Sequence, residues 1–290
     1  MRFGVVFPQT RPWRELAGDF RWAEESDYDV AYVYDHLTHP TAAGGWLADG
    51  FTTLAAAAGV TTTIELGTLV ASATLHSPVA LARRAATVDD VSGGRLVLGL
   101  GAGSPLCAQA DRGESPTPRE MYRRLADVVE GFAAVFAGET GWSGATRSFS
   151  GLETTATPAD AERPYLMLAA HGPRAIELMV RHADGWNTYG GPGSTLLEPA
   201  AYWEAVAEQA RRVTEACERL ERDPATLRRS LLLGYGKVRP VRSVAAYVEA
   251  AERALALGFD EFVVYGPHAP GEGFESDPAV HAEALERLGA

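Results

Sequence analysis

Asp35 and His36 follow directly on the apolar run Val30 to Tyr34. An imidazole titrates near neutrality, so His36 suits proton transfer, and the carboxylate beside it suits orienting a tautomer or taking part in the site. The plain competing reading is a structural histidine that caps the next turn. His39 lies three residues on and completes Asp-His-x-x-His, which invites a metal. Only His171 stands at another strand end, with no further ligand cluster, and no metal is assigned.

A second stretch with chemical potential is Gly94-Arg95-Leu96-Val97-Leu98-Gly99-Leu100-Gly101-Ala102-Gly103-Ser104. Its first half reads as a buried strand. Its second half is nearly bare backbone, so something bulky can approach the main chain at Gly101, Ala102 and Gly103. Ser104 offers a helix cap and Pro105 a first helical position. This is no dinucleotide fingerprint: the third glycine falls one residue early, and earlier strand–helix units precede it. A third stretch, Leu168-Ala169-Ala170-His171-Gly172-Pro173-Arg174, ends a strand and opens a helix. Free N–H groups and the helix dipole make such a turn a ready phosphate site, and an ordinary strand–helix turn needs Gly and Pro just as much.

These stretches recur at strand ends. The pattern predicts strands at 2–7, 30–34, 64–70, 96–100, 165–170, 185–189, 229–235 and 260–264. Helices are predicted at 13–26, 51–59, 78–90, 118–137, 173–183, 199–222, 241–257 and 278–288. The segment 138–163 is rich in Gly, Thr, Ser and Pro and reads as an insertion with a short hairpin. Eight strand–helix units in about 250 residues suit a (β/α)8 TIM barrel, an α/β fold, in one domain over 1–290. An open doubly wound sheet is the competitor. In a barrel the chemistry sits at the C-terminal ends of the strands. Those ends carry Phe7-Pro8-Gln9, Asp35-His36, Thr68 to Ser72, Gly101 to Ser104, Ala169 to Gly172 and Trp186 to Tyr189. Ordinary loop polarity accounts for Gln9 and Ser72.

The chain has 290 residues, a net charge of -12 and 46% hydrophobic residues, which fits a large core and argues against a nucleic-acid surface. Cys107 and Cys217 are too few for a disulfide framework. No leader-like segment opens the chain and no apolar run reaches membrane length, which predicts a cytoplasmic protein with no membrane partner.

Several motifs together resemble the bacterial luciferase-like superfamily: Tyr34-Asp35-His36-Leu37, Leu66-Gly67-Thr68-Leu69-Val70, the helix Ser77 to Asp90, Ser92-Gly93-Gly94-Arg95, Gly99 to Gly103, and Ala183-Asp184-Gly185-Trp186-Asn187. The likeness runs from the first strand to about residue 190. One branch of that superfamily uses reduced FMN and oxygen; the other exchanges hydride through the deazaflavin F420. The Asp35-His36 pair and the Gly-rich loop resemble the second, and Arg112 is the only arginine between Gly99 and Gly113 where FMN members place one for the phosphate. The resemblance implies an F420-dependent oxidoreductase acting on a small organic substrate. An FMN-dependent monooxygenase and a non-catalytic flavin-binding protein are the alternatives. It implies His36 and Asp35 as catalytic residues. It implies a cofactor held by Thr68, Leu69, Val70, Gly101, Ala102, Gly103, Ala169, Ala170, His171 and Gly172. Phe7, Trp46, Ser104 and Trp186 are expected to wall the substrate pocket. The family further implies a non-proline cis peptide near Leu69-Val70 and a homodimer packed through helices 51–59 and 78–90. Ser104 stands where the family's sugar-phosphate dehydrogenase has an acidic residue.

Overall fold

The computed structural model of the protein describes residues 1–158, 162–269 and 276–290. Eight parallel strands close into a barrel: β1 (Arg2–Val6), β2 (Val30–Val33), β3 (Glu65–Ser72), β4 (Leu96–Gly101), β7 (Tyr165–Ala169), β8 (Gly185–Thr188), β9 (Arg228–Leu232) and β10 (Glu261–Tyr265). The helices are α1 (Trp13–Glu25), α2 (Gly50–Ala58), α3 (Pro78–Ser92), α4 (Pro105–Arg112), α5 (Pro118–Phe136), α6 (Pro173–His182), α7 (Pro199–Arg219), α8 (Val244–Ala256) and α9 (Pro278–Leu288). The insertion carries the two-stranded antiparallel hairpin β5 (Trp142–Ser143) and β6 (Ser148–Phe149). Its residues 159–161 lie outside the described residues.

Alternation along the strands divides the core in two. Val30, Tyr32 and Tyr34 on and just beyond β2, Met167 on β7, and Val263 and Tyr265 on β10 fill the barrel interior. Their neighbours Ala31, Val33, Leu166, Leu168, Phe262 and Val264 face outward and pack under the helices. The helix starts follow the sequence signals. Ser77 caps α3 by accepting from the Ala80 N–H, with Pro78 in its first turn, and Gly93 closes it in the left-handed region. Thr117 and Glu120 form a reciprocal capping box at α5.

Three departures from the sequence pattern touch the barrel mouth, one being that β9 ends at Leu232 where the pattern predicts 235, which leaves Tyr235 on the turn. Strand β3 runs to Ser72, beyond the expected end at 70, because a bulge between Thr68 and Ala71 shifts its register against β4. The peptide Leu69-Val70 within that bulge is cis. Helix α4 forms where only its cap was legible, since just Cys107 and Ala108 are buried and the remaining residues show no apolar stripe.

Candidate active site

The C-terminal ends of the strands surround a cavity of about 340 Å³. Tyr34 and His36 line it from the end of β2, Leu69 and Val70 from the bulge of β3, and Ala169 from β7. Asn187, Tyr189, Gly193 and Thr195 line it from β8 and the segment beyond, and Leu232 and Tyr235 from β9 and the turn after it. A larger hollow of about 470 Å³, with Glu65, Asp89, Arg163, Tyr165 and Arg228 in its wall, lies at the opposite, N-terminal end of the strands. Barrel chemistry belongs to the first of these places.

The turn that carries His36 is held from below. The buried Gln9 side chain donates to the Tyr34 carbonyl and accepts from the Tyr34 N–H at 3.1 Å. Gln9 is therefore a clamp on β2, where sequence reasoning saw only loop polarity. The Tyr34 hydroxyl lies 2.8 Å from that of Tyr265. Asp35 is buried and faces away from the cavity. Its Oδ2 accepts from the Ser72 N–H at 3.0 Å and from His76 Nε2 at 2.7 Å. Arg84 donates to His76 Nδ1 at 2.8 Å, and arginine has no acceptor, so the histidine proton sits on Nε2 and points at Asp35. Burial alone would raise the Asp35 carboxyl, but the His76 and Ser72 bonds hold it below the usual carboxylate range. Asp35 thus ties β2 to β3 and α3 through a chain of bonds that does not include His36.

The partner of His36 is Cys107. Its Sγ lies 3.4 Å from His36 Nδ1, and the thiol donates to the Thr38 carbonyl at 3.6 Å. A thiol has one proton. With that proton on Thr38, the sulfur accepts from Nδ1–H, and Nε2 is the imidazole nitrogen left to serve as a base. Burial pushes the Cys107 thiol up, while His36 and the backbone of Thr38 and Leu37 bring it below its ordinary value. The His39 ring lies 5.3 Å from that of His36, edge-on, and its Nε2 is 2.8 Å from the Tyr235 hydroxyl. Burial, then the neighbouring His36, lowers His39 to about 4, so it is neutral at pH 7. Among the described residues, no group of three or more His, Cys, Asp or Glu side chains converges as a metal would need.

The glycine run of β4 serves its neighbour strand. The Thr68 hydroxyl donates to the Gly99 carbonyl at 2.7 Å, and a Cβ at Gly99 would lie 2.1 Å from the Thr68 carbonyl oxygen. A Cβ at Gly101 would meet Val70 Cγ2 at 2.7 Å. The bare backbone is therefore room for the β3 bulge. Thr68, Gly101, Ala102 and Gly103 stand behind the cavity wall, and Leu69 and Val70 form it. Of the turn after β7, Ala169 reaches the cavity. Ala170 is buried and its carbonyl accepts from Trp186 Nε1 at 2.9 Å. His171 packs edge-on against Tyr189 with ring centroids 5.1 Å apart, and burial lowers its pKa. Gly172 opens α6 without any side-chain cap, and a Cβ there would meet nothing within 4 Å.

The four expected pocket residues fall elsewhere. Trp186 is fully buried outside the barrel and stacks on Phe259 at 5.6 Å, because its indole N–H is satisfied by Ala170 in that layer. Phe7 is buried against Phe20 and Trp22 under α1. Ser104 caps α4 by accepting from the Leu106 N–H at 3.2 Å. Trp46 is 63% exposed on the loop after β2. Sequence reasoning missed Leu232 and Tyr235 altogether. The end of the predicted strand 229–235 was the available signal, but leucine and tyrosine there look like core.

A sequence model described as luciferase-like monooxygenase matches residues 1–225. An F420-dependent glucose-6-phosphate dehydrogenase of Nocardia farcinica is 30% identical over 213 residues, which are 72% of this chain and 62% of that protein. The chain thus spans less than two thirds of that relative's length. A solved F420-dependent secondary alcohol dehydrogenase, in complex with an F420-acetone adduct, superposes with a TM-score of 0.79 at 15% identity, covering 99% of this chain and 97% of that one. A monooxygenase from Streptomyces bottropensis superposes over the full length of both chains with a TM-score of 0.74 at 20% identity. At such identities the two structures establish the shared barrel.

Proposed function

The chain belongs to the luciferase-like monooxygenase family, and within it we propose that the protein is an oxidoreductase that uses the deazaflavin F420 on a small organic substrate. The observation that carries this reading is His36: an imidazole at the cavity wall whose Nδ1 is engaged by Cys107, facing the same cavity as the Leu69-Val70 bulge. The relative from Nocardia farcinica, named for F420, supports the choice of cofactor.

The residues present fit such a cofactor. Leu69 and Val70 offer an apolar wall for a flat ring, and Ala169 an unhindered edge. The uncapped start of α6 beside Gly172 offers N–H groups to a phosphate in open space. When bound, a deazaflavin supplies a carbon that exchanges hydride with the substrate. The protein does the rest. The barrel mouth excludes water from one side of the ring, and the tyrosines orient the substrate. His36 Nε2 takes the proton that a substrate hydroxyl releases as its carbon is oxidised, or returns it in the reverse direction.

The test is cofactor-dependent turnover on a panel of alcohols and carbonyl compounds, followed by loss or gain of deazaflavin absorbance. Turnover with F420 and none with FMN is expected. Oxygen uptake with reduced FMN in its place reassigns the protein to the oxygen-using branch, and tight cofactor binding without turnover on any compound points to a binding protein. We carry two further proposals. The first is a homodimer through α2 and α3, supported by the partly exposed Ala55 and Ala56 of the alanine run and checked by light scattering on a sizing column. The second is a cytoplasmic location, consistent with the finding that no helix among the described residues is long and apolar enough to cross a membrane.

A further inference from the structure

We infer that the substrate is an uncharged carbonyl compound or alcohol with an apolar, ring-sized body, and that phosphorylated sugars are excluded. This rests on the oxidoreductase reading above and narrows it. Beyond the Leu69-Val70 wall that the ring would cover, Tyr34, Tyr189, Leu232 and Tyr235 make up most of the cavity wall, and among the described residues no Lys, Arg, Asp or Glu lines it. A phosphate dianion taken into such a wall loses its water and gains no cation in return.

The cations that follow β9 do not reach in. Lys237 is paired with Glu198, and Arg239 donates to the Gly234 carbonyl at 3.1 Å. Both line a separate hollow beside Trp203. The polar side chains that line the cavity among the described residues are the His36 imidazole, the hydroxyls of Tyr34, Tyr189, Thr195 and Tyr235, and the Asn187 amide, with Tyr235 anchored on His39. A phenol and an imidazole suit a single carbonyl or hydroxyl oxygen.

The rim continues the same chemistry. Leu37, next in sequence to His36, and Leu196, next to Thr195, are exposed, Leu196 at 79%. Apolar side chains left in water beside lining residues suit the approach of an apolar ligand.

The experiment is a calorimetric titration of the full chain with acetophenone and with glucose 6-phosphate, each without cofactor and with F420 present. Acetophenone is expected to bind at least about tenfold more tightly than the phosphate ester in both conditions. Tyr189→Ala is expected to weaken acetophenone about fivefold, which places the binding in this cavity. Equal affinity, preference for glucose 6-phosphate, no binding of acetophenone to either form, or unchanged affinity in Tyr189→Ala overturns the inference. If acetophenone binds as stated and F420 does not bind at all, the cofactor reading fails and the reading of the cavity stands.

Discussion

Asp35 stands beside the candidate base in sequence, yet its bonds make it part of the scaffold, and the two roles predict opposite outcomes. In Asp35→Asn an amide oxygen in the place of Oδ2 still accepts from Ser72 N–H and His76 Nε2, but both bonds lose their charge. A bond to a charged acceptor contributes roughly 1 kcal/mol more than a neutral one, so two such bonds give a loss of about 2 kcal/mol. In Asp35→Ala two buried donors lose their acceptor, at about 2 kcal/mol each, for about 4 kcal/mol in total. For a chain of this size those losses correspond to falls in Tm of roughly 4 and 8 °C. The pH dependence supplies a second check. A carboxyl held below its unfolded value stabilises the fold above that value, and the contribution disappears as pH falls through the folded one. The gap between wild type and Asp35→Asn therefore closes below the ordinary value of 3.8. Thermal melts across pH, paired with turnover per folded molecule, test both. If Asp35 belongs to the scaffold, Asp35→Asn keeps turnover within about threefold of wild type. An unchanged Tm with turnover down more than about a hundredfold would place the carboxylate in the chemistry and refute it.

Other substitutions probe separate links. His36→Ala is expected to lower turnover by about 10²–10⁴ with cofactor affinity within about tenfold, measured by steady-state kinetics and titration; unchanged turnover removes His36 from the mechanism. Gly99→Ala drives a methyl group against the Thr68 carbonyl, so little soluble, folded protein is expected on expression, whereas a normal melt would show that the β3 bulge yields easily. Glu24 accepts from the N–H groups of Thr62, Thr63 and Ile64, and these bonds outweigh burial and bring its carboxyl down to about 2. Its contribution is present above the ordinary value of 4.5 and lost as pH falls toward 2, so Glu24→Gln is expected to flatten the acid limb of the stability curve in denaturant titrations.

Much of this molecule was legible in its sequence because the repeating strand and helix periods are local signals. The barrel, the insertion hairpin and the helix caps all depend on residues within a few positions of one another. The site was legible only where a strand end announced itself by polar residues, as at His36, or through the family motif, as at Leu69-Val70. What failed was long-range pairing. His76 is 41 residues from Asp35, and Cys107 is 71 residues from His36, so nothing local separates the scaffold carboxylate from the tethered imidazole. The glycines of β4 looked like space for a ligand because bare backbone does not say what approaches it; here it is Thr68 and Val70. Trp186 and Phe7 have the chemistry of pocket walls, but alternation turns them to the outer side of their strands. Tyr235 does line the cavity, and its aromatic ring in an apolar stretch hid it.

The identity of the cofactor decides what this cavity does, and a titration of the purified chain with F420 and with FMN, each in both redox states, reads it directly. The expected result is micromolar or tighter binding of F420, with FMN at least about tenfold weaker. Tighter binding of FMN would contradict the deazaflavin reading and move the cavity, with the same wall at Leu69-Val70 and the same turn at Ala169 to Gly172, to the oxygen-using branch of the family.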